Sequence, residues 1–487
     1  MSEFDRRFFC KTSAMSLMAL SEGLPVAETS VSDAESAGTR PLLSGPYATQ
    51  PGEPVFLLEG STLEDLWAVR RRVNPLVRSS RNPVMVKTRD WEGGGPTGNS
   101  VLYDSEDKLF KMWYTVAHEF EYRHRLPGSY MMCYATSGDG YAWEKPELGV
   151  LEWKGSKKNN FIGLVGRRPA GSVMGTPPGS GISQRYICSY LDDPGICLAY
   201  SDDGVKWTAH KRNPIEPSES DTRNTLVYDP VNRKWMVFMR PPVFAGFTNR
   251  RMAVMESRDL QAWTRPETVL LPDEADLPES YGMPVFRRGN LFFGLLWVYN
   301  RLAGTIENEL VFSSDGRHWN RVPPRELFLP LGGPGEFDQG MVFAGPPVIA
   351  HGEMRFYYGA TRTLHTQIES RAAIGLASVP LDRFFALRTS SQNEPGFILT
   401  RPLLLNGSKL EVNAEMLLVQ GQIKVAVLDL SGKELPGFGM SDCEPLRGND
   451  LRHEVTWKKG KLADLPKEPL RLKFQLEQAT FYAFYLK

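Results

Sequence analysis

Ser137-Gly138-Asp139-Gly140-Tyr141-Ala142-Trp143 returns along the chain as Ser201-Asp202-Asp203-Gly204-Val205-Lys206-Trp207, as Ser257-Arg258-Asp259-Leu260-Gln261-Ala262-Trp263 and as Ser313-Ser314-Asp315-Gly316-Arg317-His318-Trp319. The tryptophans are 64, 56 and 56 residues apart, and a weaker copy running from Ser378 through Asp382 to Phe384 ends 65 residues further on. A unit repeated at such an interval is the mark of propeller blades, each too small to bury its apolar face alone. In every copy the Asp carboxylate is suited to accept backbone N–H groups of a turn, and the Trp to anchor the returning strand in the core. The hairpin therefore reads as structural, and its acid carries no catalytic weight.

Outward from these turns the chain alternates short apolar strands with turns. The first blade would use Ser100–Tyr103, Phe110–Tyr114 and Met131–Ala135, and the second Tyr186–Tyr190 and Ile196–Tyr200 behind a Gly/Pro-rich stretch, Gly171 to Gly181, read as a loop. The third would use Asn224–Tyr228, Lys234–Met239 and Met252–Met255; the fourth, Met283–Phe286, Leu291–Leu296 and Glu309–Phe312; the fifth, Met341–Phe343, Met354–Tyr358 and Ala373–Ala377. A sandwich or barrel also accommodates many short strands, but the blade-length period favours the propeller. After Pro395 the repeat stops. Lys409–Val412, Ile423–Leu430, Leu470–Leu476 and Ala479–Tyr485 read as strands, and the strict alternation in 470 to 476 marks a sheet with one wet face. The expected fold is all-β: a five-bladed β-propeller with an N-terminal extension over residues 53–390, then a β-sandwich over 391–487. Thr62 to Arg72 has the spacing of a short amphipathic helix.

At the N-terminus, Arg6-Arg7-Phe8-Phe9 followed by a short, weakly apolar run to Leu20 has the form of a twin-arginine export signal over residues 1–27, with 28–52 as a linker. That predicts a periplasmic or secreted protein; a cytoplasmic tail is the alternative. Lys plus Arg and Asp plus Glu both number 57, so no charge excess favours nucleic acid or an anionic membrane. No apolar run reaches the length of a membrane span. The 11 Trp, 17 Tyr, 25 Phe, 44 Gly and 36 Pro suit aromatic-rich strands joined by turns. Five scattered cysteines make neither a disulfide framework nor a zinc site, so neither metal nor cofactor is expected; Cys188 and Cys197, flanking a turn, read as buried thiols rather than a bridge.

A propeller gathers the starts of its innermost strands around one funnel, and acids precede four of the five. They are Asp90 and Glu92 beside Trp91, Asp221 before Arg223 and Asn224, Glu279 before Tyr281, and Glu336 with Asp338. Arg240, Tyr358 and His365 are placed to share that funnel, and Trp91, Tyr281 and Trp297 offer stacking faces. Each acid alone also reads as an ordinary turn or capping residue, and His118 and His124 as solvated loop histidines. Carboxylates around a concave aromatic site suit glycosidic bond cleavage, with one acid protonating the leaving oxygen and another serving as nucleophile or base. Glu92, Asp221, Glu336 and Asp338 are the candidate catalytic acids.

Asn82-Pro83, Asp90-Trp91-Glu92, Lys111 to Tyr114, Ser137 to Gly140 with Trp143, Asn224 through Pro230, Gly335 to Asp338 and Phe356 to Gly359 together resemble the five-bladed propeller glycoside hydrolases of families 32 and 43, the invertase-like and arabinanase-like enzymes. The resemblance spans about residues 80 to 385. It implies a glycosidase site in the funnel with three acids from successive blades, a carbohydrate substrate, and a C-terminal sandwich. The invertase-type opening, Arg-Asp-Pro and Glu-Cys motifs are absent, so acid roles are not transferred residue by residue. A carbohydrate-binding propeller without catalysis is the alternative, and a scaffold for protein partners a third.

Overall fold

The computed structural model describes residues 45–487 except 165, 167–169, 193–194, 243–249, 275–278, 366, 368–370 and 392. The expected export signal and most of the expected linker lie outside the described residues. The described residues are almost entirely β, with one five-residue α-helix, Glu119–Arg123, and two single-turn 3-10 helices among them. Among the described residues no helix is long and apolar enough to cross a membrane, and no group of three or more His, Cys, Asp or Glu side chains is arranged to hold a metal ion.

Three antiparallel sheets follow one another in sequence. They are Pro96–Asp104 with Leu109–Ala117 and Tyr130–Ser137; Ala170–Gly175 with Tyr186–Leu191, Ile196–Ser201 and Thr208–Ala209; and Thr225–Asp229 with Lys234–Met239, Met252–Ser257 and Glu267–Leu270. A ten-stranded sheet then contains two antiparallel halves. The first is built on Leu291–Asn300 and Thr305–Ser313, the second on Glu353–Thr361 and Ala372–Pro380, and a single parallel pairing of Ile306 with Met341 joins them. The outermost strand of the second half, Val77–Arg78, comes from the other end of the chain. Ala170–Gly175 is a strand where a loop was expected. A Cβ on Gly171 would lie 2.7 Å from the carbonyl of Ser189, so this glycine marks a close backbone approach rather than a turn.

The repeated turns are built as their residues dictate. Asp139 Oδ1 accepts the backbone N–H groups of Tyr141 and Ala142, and Ser137 Oγ that of Gly140; Asp203, Asp259 and Asp315 repeat the pattern with Ser201, Ser257 and Ser313. These bonds favour the ionised acid, and they hold the carboxyls of Asp139, Asp203 and Asp315 below the usual range against the opposing effect of burial. Each turn also docks on a neighbouring sheet. A Cβ on Gly204, at φ 74°, would sit 2.6 Å from the Trp113 ring in the sheet before it, and one on Gly316 would sit 2.5 Å from Met236. Gly140 meets Tyr357, in the last half-sheet, in the same way. The third copy carries Leu260 instead, buried in one cluster with Ile187 and Leu198 of the preceding sheet. Asp382, in the weak fifth copy, does something else. It is fully buried, takes a two-pronged pair from Arg288 at 2.7 and 2.8 Å, and accepts from the Tyr485 hydroxyl.

The C-terminal strands form a four-stranded sheet in the order Leu63–Trp67, Gly396–Thr400, Arg471–Glu477, Gln422–Leu428. Beside it is a five-stranded sheet in the order Val69–Val73, Phe385–Thr389, Ala479–Leu486, Leu410–Met416, Asn449–Glu454. One expectation is corrected here. Thr62 to Arg72 is not a helix but two strands broken at Ala68, where φ is 52°. Leu63–Trp67 pairs with Gly396–Thr400 and Phe385–Thr389 with Ala479–Leu486, while Val77–Arg78 pairs with Ala372–Pro380. Strand 471–477 alternates buried and half-buried residues as expected.

Candidate functional site

The four proposed acids have unlike surroundings: Glu92 and Asp338 are buried, Asp221 and Glu336 exposed. Glu92 is fully buried: its Oε1 accepts from Lys145 Nζ at 2.6 Å and from the Tyr114 hydroxyl at 2.8 Å, and its Oε2 from the backbone N–H groups of Thr88 and Arg89. Trp91, beside it, donates its indole N–H to Asn160, whose amide in turn donates to Tyr114; Asp90 is exposed. Asp338 is also buried, held by Arg78 at 2.8 Å and by the Tyr358 hydroxyl at 3.0 Å, so that Tyr358 is an internal donor and not a stacking face. Glu336, two residues earlier, is exposed in its loop. Trp297 is buried and donates to the Ala344 carbonyl, so it too is withdrawn from solvent. His118 is not a solvated loop residue: it is buried, with its ring nitrogens 3.0 and 2.8 Å from the carbonyls of Gly128 and Trp91.

One set of side chains converges. The segment Ser220 to Asn224 is folded on itself, Ser220 Oγ donating to Asn224 Oδ1 at 2.6 Å and Asn224 Nδ2 donating to the Ser220 carbonyl. Ser220 Oγ also accepts the backbone N–H of Arg240, and Thr222 Oγ1 donates to the Tyr281 carbonyl. Asn224 is therefore a brace, and Asp221 is left exposed at the tip of the braced turn. Tyr281 is the extra residue of a bulge, since Ser280 pairs with Val298 and Gly282 with the next residue, Trp297. A bulge takes its residue out of the ladder and re-aims the side chain. The displaced carbonyl accepts from Arg240 Nε at 3.0 Å and Nη2 at 2.6 Å, and the Arg240 guanidinium lies 4.6 Å from the centre of the Tyr281 ring.

The Tyr281 hydroxyl lies 3.1 Å from His365 Nε2, and the Tyr299 hydroxyl lies 3.2 Å from His365 Nδ1. The imidazole thus bridges two phenols, with one ring nitrogen donating and the other accepting in its neutral form. Burial and then the nearby Arg250 and Arg240 lower its proton affinity below the ordinary histidine value, so it is neutral at neutral pH. Burial likewise raises the Tyr281 phenol, against the pull of Arg240, and lowers Arg240. Glu279 is buried and paired with Arg250 Nη1 at 2.8 Å, with Arg301 3.8 Å from its other oxygen; the Arg250 guanidinium lies 5.0 Å from the Tyr281 ring centre and 5.5 Å from that of Tyr299. Asp221 acts electrostatically on Arg240, Tyr281 and His365 together, which places its carboxylate in the same field.

Of the residues singled out from sequence, then, Asp221, Arg240, Glu279, Tyr281 and His365 form one cluster, and Arg223 donates instead to Ser100. Arg250, Tyr299 and Arg301 were missed. Arg250 precedes the third strand of its sheet and Tyr299 ends the second of its own, so a search confined to the starts of innermost strands passes over both, although antiparallel neighbours bring all three kinds of strand end to one edge.

No family model and no curated protein matches the chain. Among solved structures it is similar to an N-acetylgalactosamine deacetylase from F. plautii in complex with blood group B trisaccharide, at 15% identity over 65% of this chain and 97% of the other, with a TM-score of 0.43. It is also similar to the catalytic domain of a Coprinopsis cinerea GH62 alpha-L-arabinofuranosidase, at 12% identity over 63% and 96% with a TM-score of 0.43. A glycosyl hydrolase from Bacteroides ovatus aligns at 14% identity over 64% and 97%, with a TM-score of 0.44. These likenesses are distant and assign no role to any residue of the chain.

Proposed function

We propose that the protein is an exported glycoside hydrolase whose site is the Asp221, Arg240, Glu279, Tyr281 and His365 cluster. In this reading the three separate sheets and the two halves of the ten-stranded sheet are the five blades of a propeller, and the two C-terminal sheets form a sandwich. The observation that carries it is the pairing of an exposed carboxylate, Asp221, with a neutral imidazole held between two phenols in a partly buried, arginine-lined setting. Such a set supports general acid and base chemistry: Asp221 is the carboxylate that reaches a sugar, and the Tyr299, His365 and Tyr281 chain carries a proton. Glu279, paired with Arg250, is the second carboxylate of the pair that glycosidic cleavage requires. Glu92 and Asp338 serve the fold.

Non-catalytic sugar binding is favoured by one observation, that Glu279 is withdrawn behind Arg250 and leaves Asp221 as the exposed acid of the cluster. The test is a broad glycan panel with wild type, Asp221→Asn and Glu336→Gln. Hydrolysis lost in Asp221→Asn and kept in Glu336→Gln supports the enzyme reading at this site. Saturable glycan binding by the wild type without turnover supports the binding reading, and activity intact in both variants removes the cluster from consideration.

A further inference from the structure

A cavity of about 270 Å³ lies among Pro96–Asp104, Ala170–Gly175, Thr225–Asp229 and Val285–Arg288, the strands that face one another across the repeat. Its lining includes Arg223 and Arg287 and no Asp or Glu. Arg223 is the unusual member. A guanidinium has five N–H donors, and here one hydrogen bond is made, from Nη2 to Ser100 Oγ at 2.8 Å. Its Nε is buried without a hydrogen-bond partner among the described residues, and so is Thr225 Oγ1 on the same wall. Ser100 Oγ already accepts from Arg223 and from the backbone N–H of Val173 at 2.9 Å, so its own proton is left to donate. On the far side Gly345 makes room for the guanidinium: a Cβ there would lie 3.1 Å from Nη1.

No counter-charge is built in. Arg223 makes no salt bridge with a described carboxylate, and the nearby ionisable group, Cys188, is a thiol whose pKa burial raises, so it is uncharged. Burial lowers the Arg223 pKa only to about 10, which leaves the cation intact at neutral pH. Arg223 is half-buried, with its Nε out of water; a charge so withdrawn without a partner is costly, and is tolerated where an opposite charge and hydrogen bonds replace the lost water. The shortage in this cavity is of acceptors and of negative charge together. Water supplies the first but not the second.

From this geometry we infer that the central cavity binds a small inorganic monovalent anion, held by the Arg223 guanidinium and the hydroxyls of Thr225 and Ser100. The site is separate from the Asp221 cluster, none of whose members lines the cavity, and the inference stands whether or not that cluster hydrolyses sugars.

Bromide is the probe. Crystals of the full chain grown in sodium bromide should give an anomalous difference peak within hydrogen-bonding distance of Arg223 and Thr225 Oγ1; water alone at that position overturns the inference. In solution, Tm should rise with sodium chloride relative to sodium gluconate at equal ionic strength, with the logarithmic dependence of a ligand that binds the native state. Thr225→Val should weaken that dependence and Arg223→Met abolish it, while Arg223→Met in gluconate should melt no lower than wild type because the unpaired charge is gone. Equal melting of the wild type in the two salts refutes the proposal. If Arg223→Met fails to fold, the bromide map of the wild type decides alone.

Discussion

Glu92→Gln separates a structural acid from a catalytic one. In the wild type, four donors converge on a side chain with no exposed surface: Lys145 Nζ and the Tyr114 hydroxyl on one oxygen, two backbone N–H groups on the other. Glutamine keeps one oxygen. If that oxygen serves the backbone pair, an NH2 group faces the Lys145 ammonium and Tyr114; if it serves Lys145, the NH2 faces two backbone donors. Either way two donors lose their acceptor, and a lysine only 7% exposed loses its counter-charge. Removing one member of a buried pair costs about 3 to 5 kcal/mol. Lys145→Met should cost less, about 1.5 to 3 kcal/mol, because Glu92 retains three donors. Equilibrium urea unfolding followed by tryptophan fluorescence measures both. A Glu92→Gln midpoint equal to wild type, with glycan turnover reduced a hundredfold, would refute the reasoning and make Glu92 a substrate-contacting acid after all.

Asp221→Asn should reduce turnover on whichever glycan the panel identifies by about 10² to 10⁴ fold, with stability within about 0.5 kcal/mol of wild type because the side chain is exposed; a melting curve and a rate check both halves. His365, with its proton affinity lowered by burial, takes up a proton more readily in the unfolded chain. Its contribution to stability is therefore complete above the ordinary histidine value of 6.5 and declines as the pH falls below it. His365→Gln should flatten the acid side of a Tm-against-pH curve. Gly204→Ala should destabilise by about 1 kcal/mol or more, since φ is positive and the added methyl meets the Trp113 ring; a calorimetric Tm equal to wild type would show the turn is not tightly docked. The thiols of Cys133, Cys188, Cys197 and Cys443, all buried, should react with a thiol reagent only as the protein unfolds.

What the sequence conveys about this molecule is mostly local chemistry. The Ser, Asp, Gly and Trp of the repeated turn are legible because their bonds lie within seven residues, and the alternation in 470 to 476 because a strand records which face is wet. Strands 63–67 and 69–73 are not legible: they carry Glu64, Asp65 and three consecutive arginines, and their partners lie more than 300 residues away. The surroundings of two acids are hidden for a related reason. Glu92 and Asp338 are buried against a cation, Lys145 or Arg78, delivered from another part of the chain, and nothing beside either acid announces it. Asp221, Glu279 and Tyr281 were singled out because they precede innermost strands, and Arg240 and His365, just past strand ends, because they could share the same funnel. Arg250 and Tyr299 carry no such mark in the sequence.

The pairing of Val77–Arg78 with Ala372–Pro380, and of 63–73 with strands beyond 385, has a consequence for biosynthesis. Neither edge is complete until residues from the far end have left the ribosome, so the native state is out of reach of a nascent chain that has made only the repeat. Closure of these edges is slow in the manner of long-range β topologies and depends on protection of unpaired edges in the interval. An expression fragment cut after residue 390 would keep the partners of Val69–Val73 and Val77–Arg78 but strand Leu63–Trp67 without Gly396–Thr400, and Phe385–Thr389 without Ala479–Leu486, and its aggregation would reflect that amputation rather than any weakness in the repeat itself.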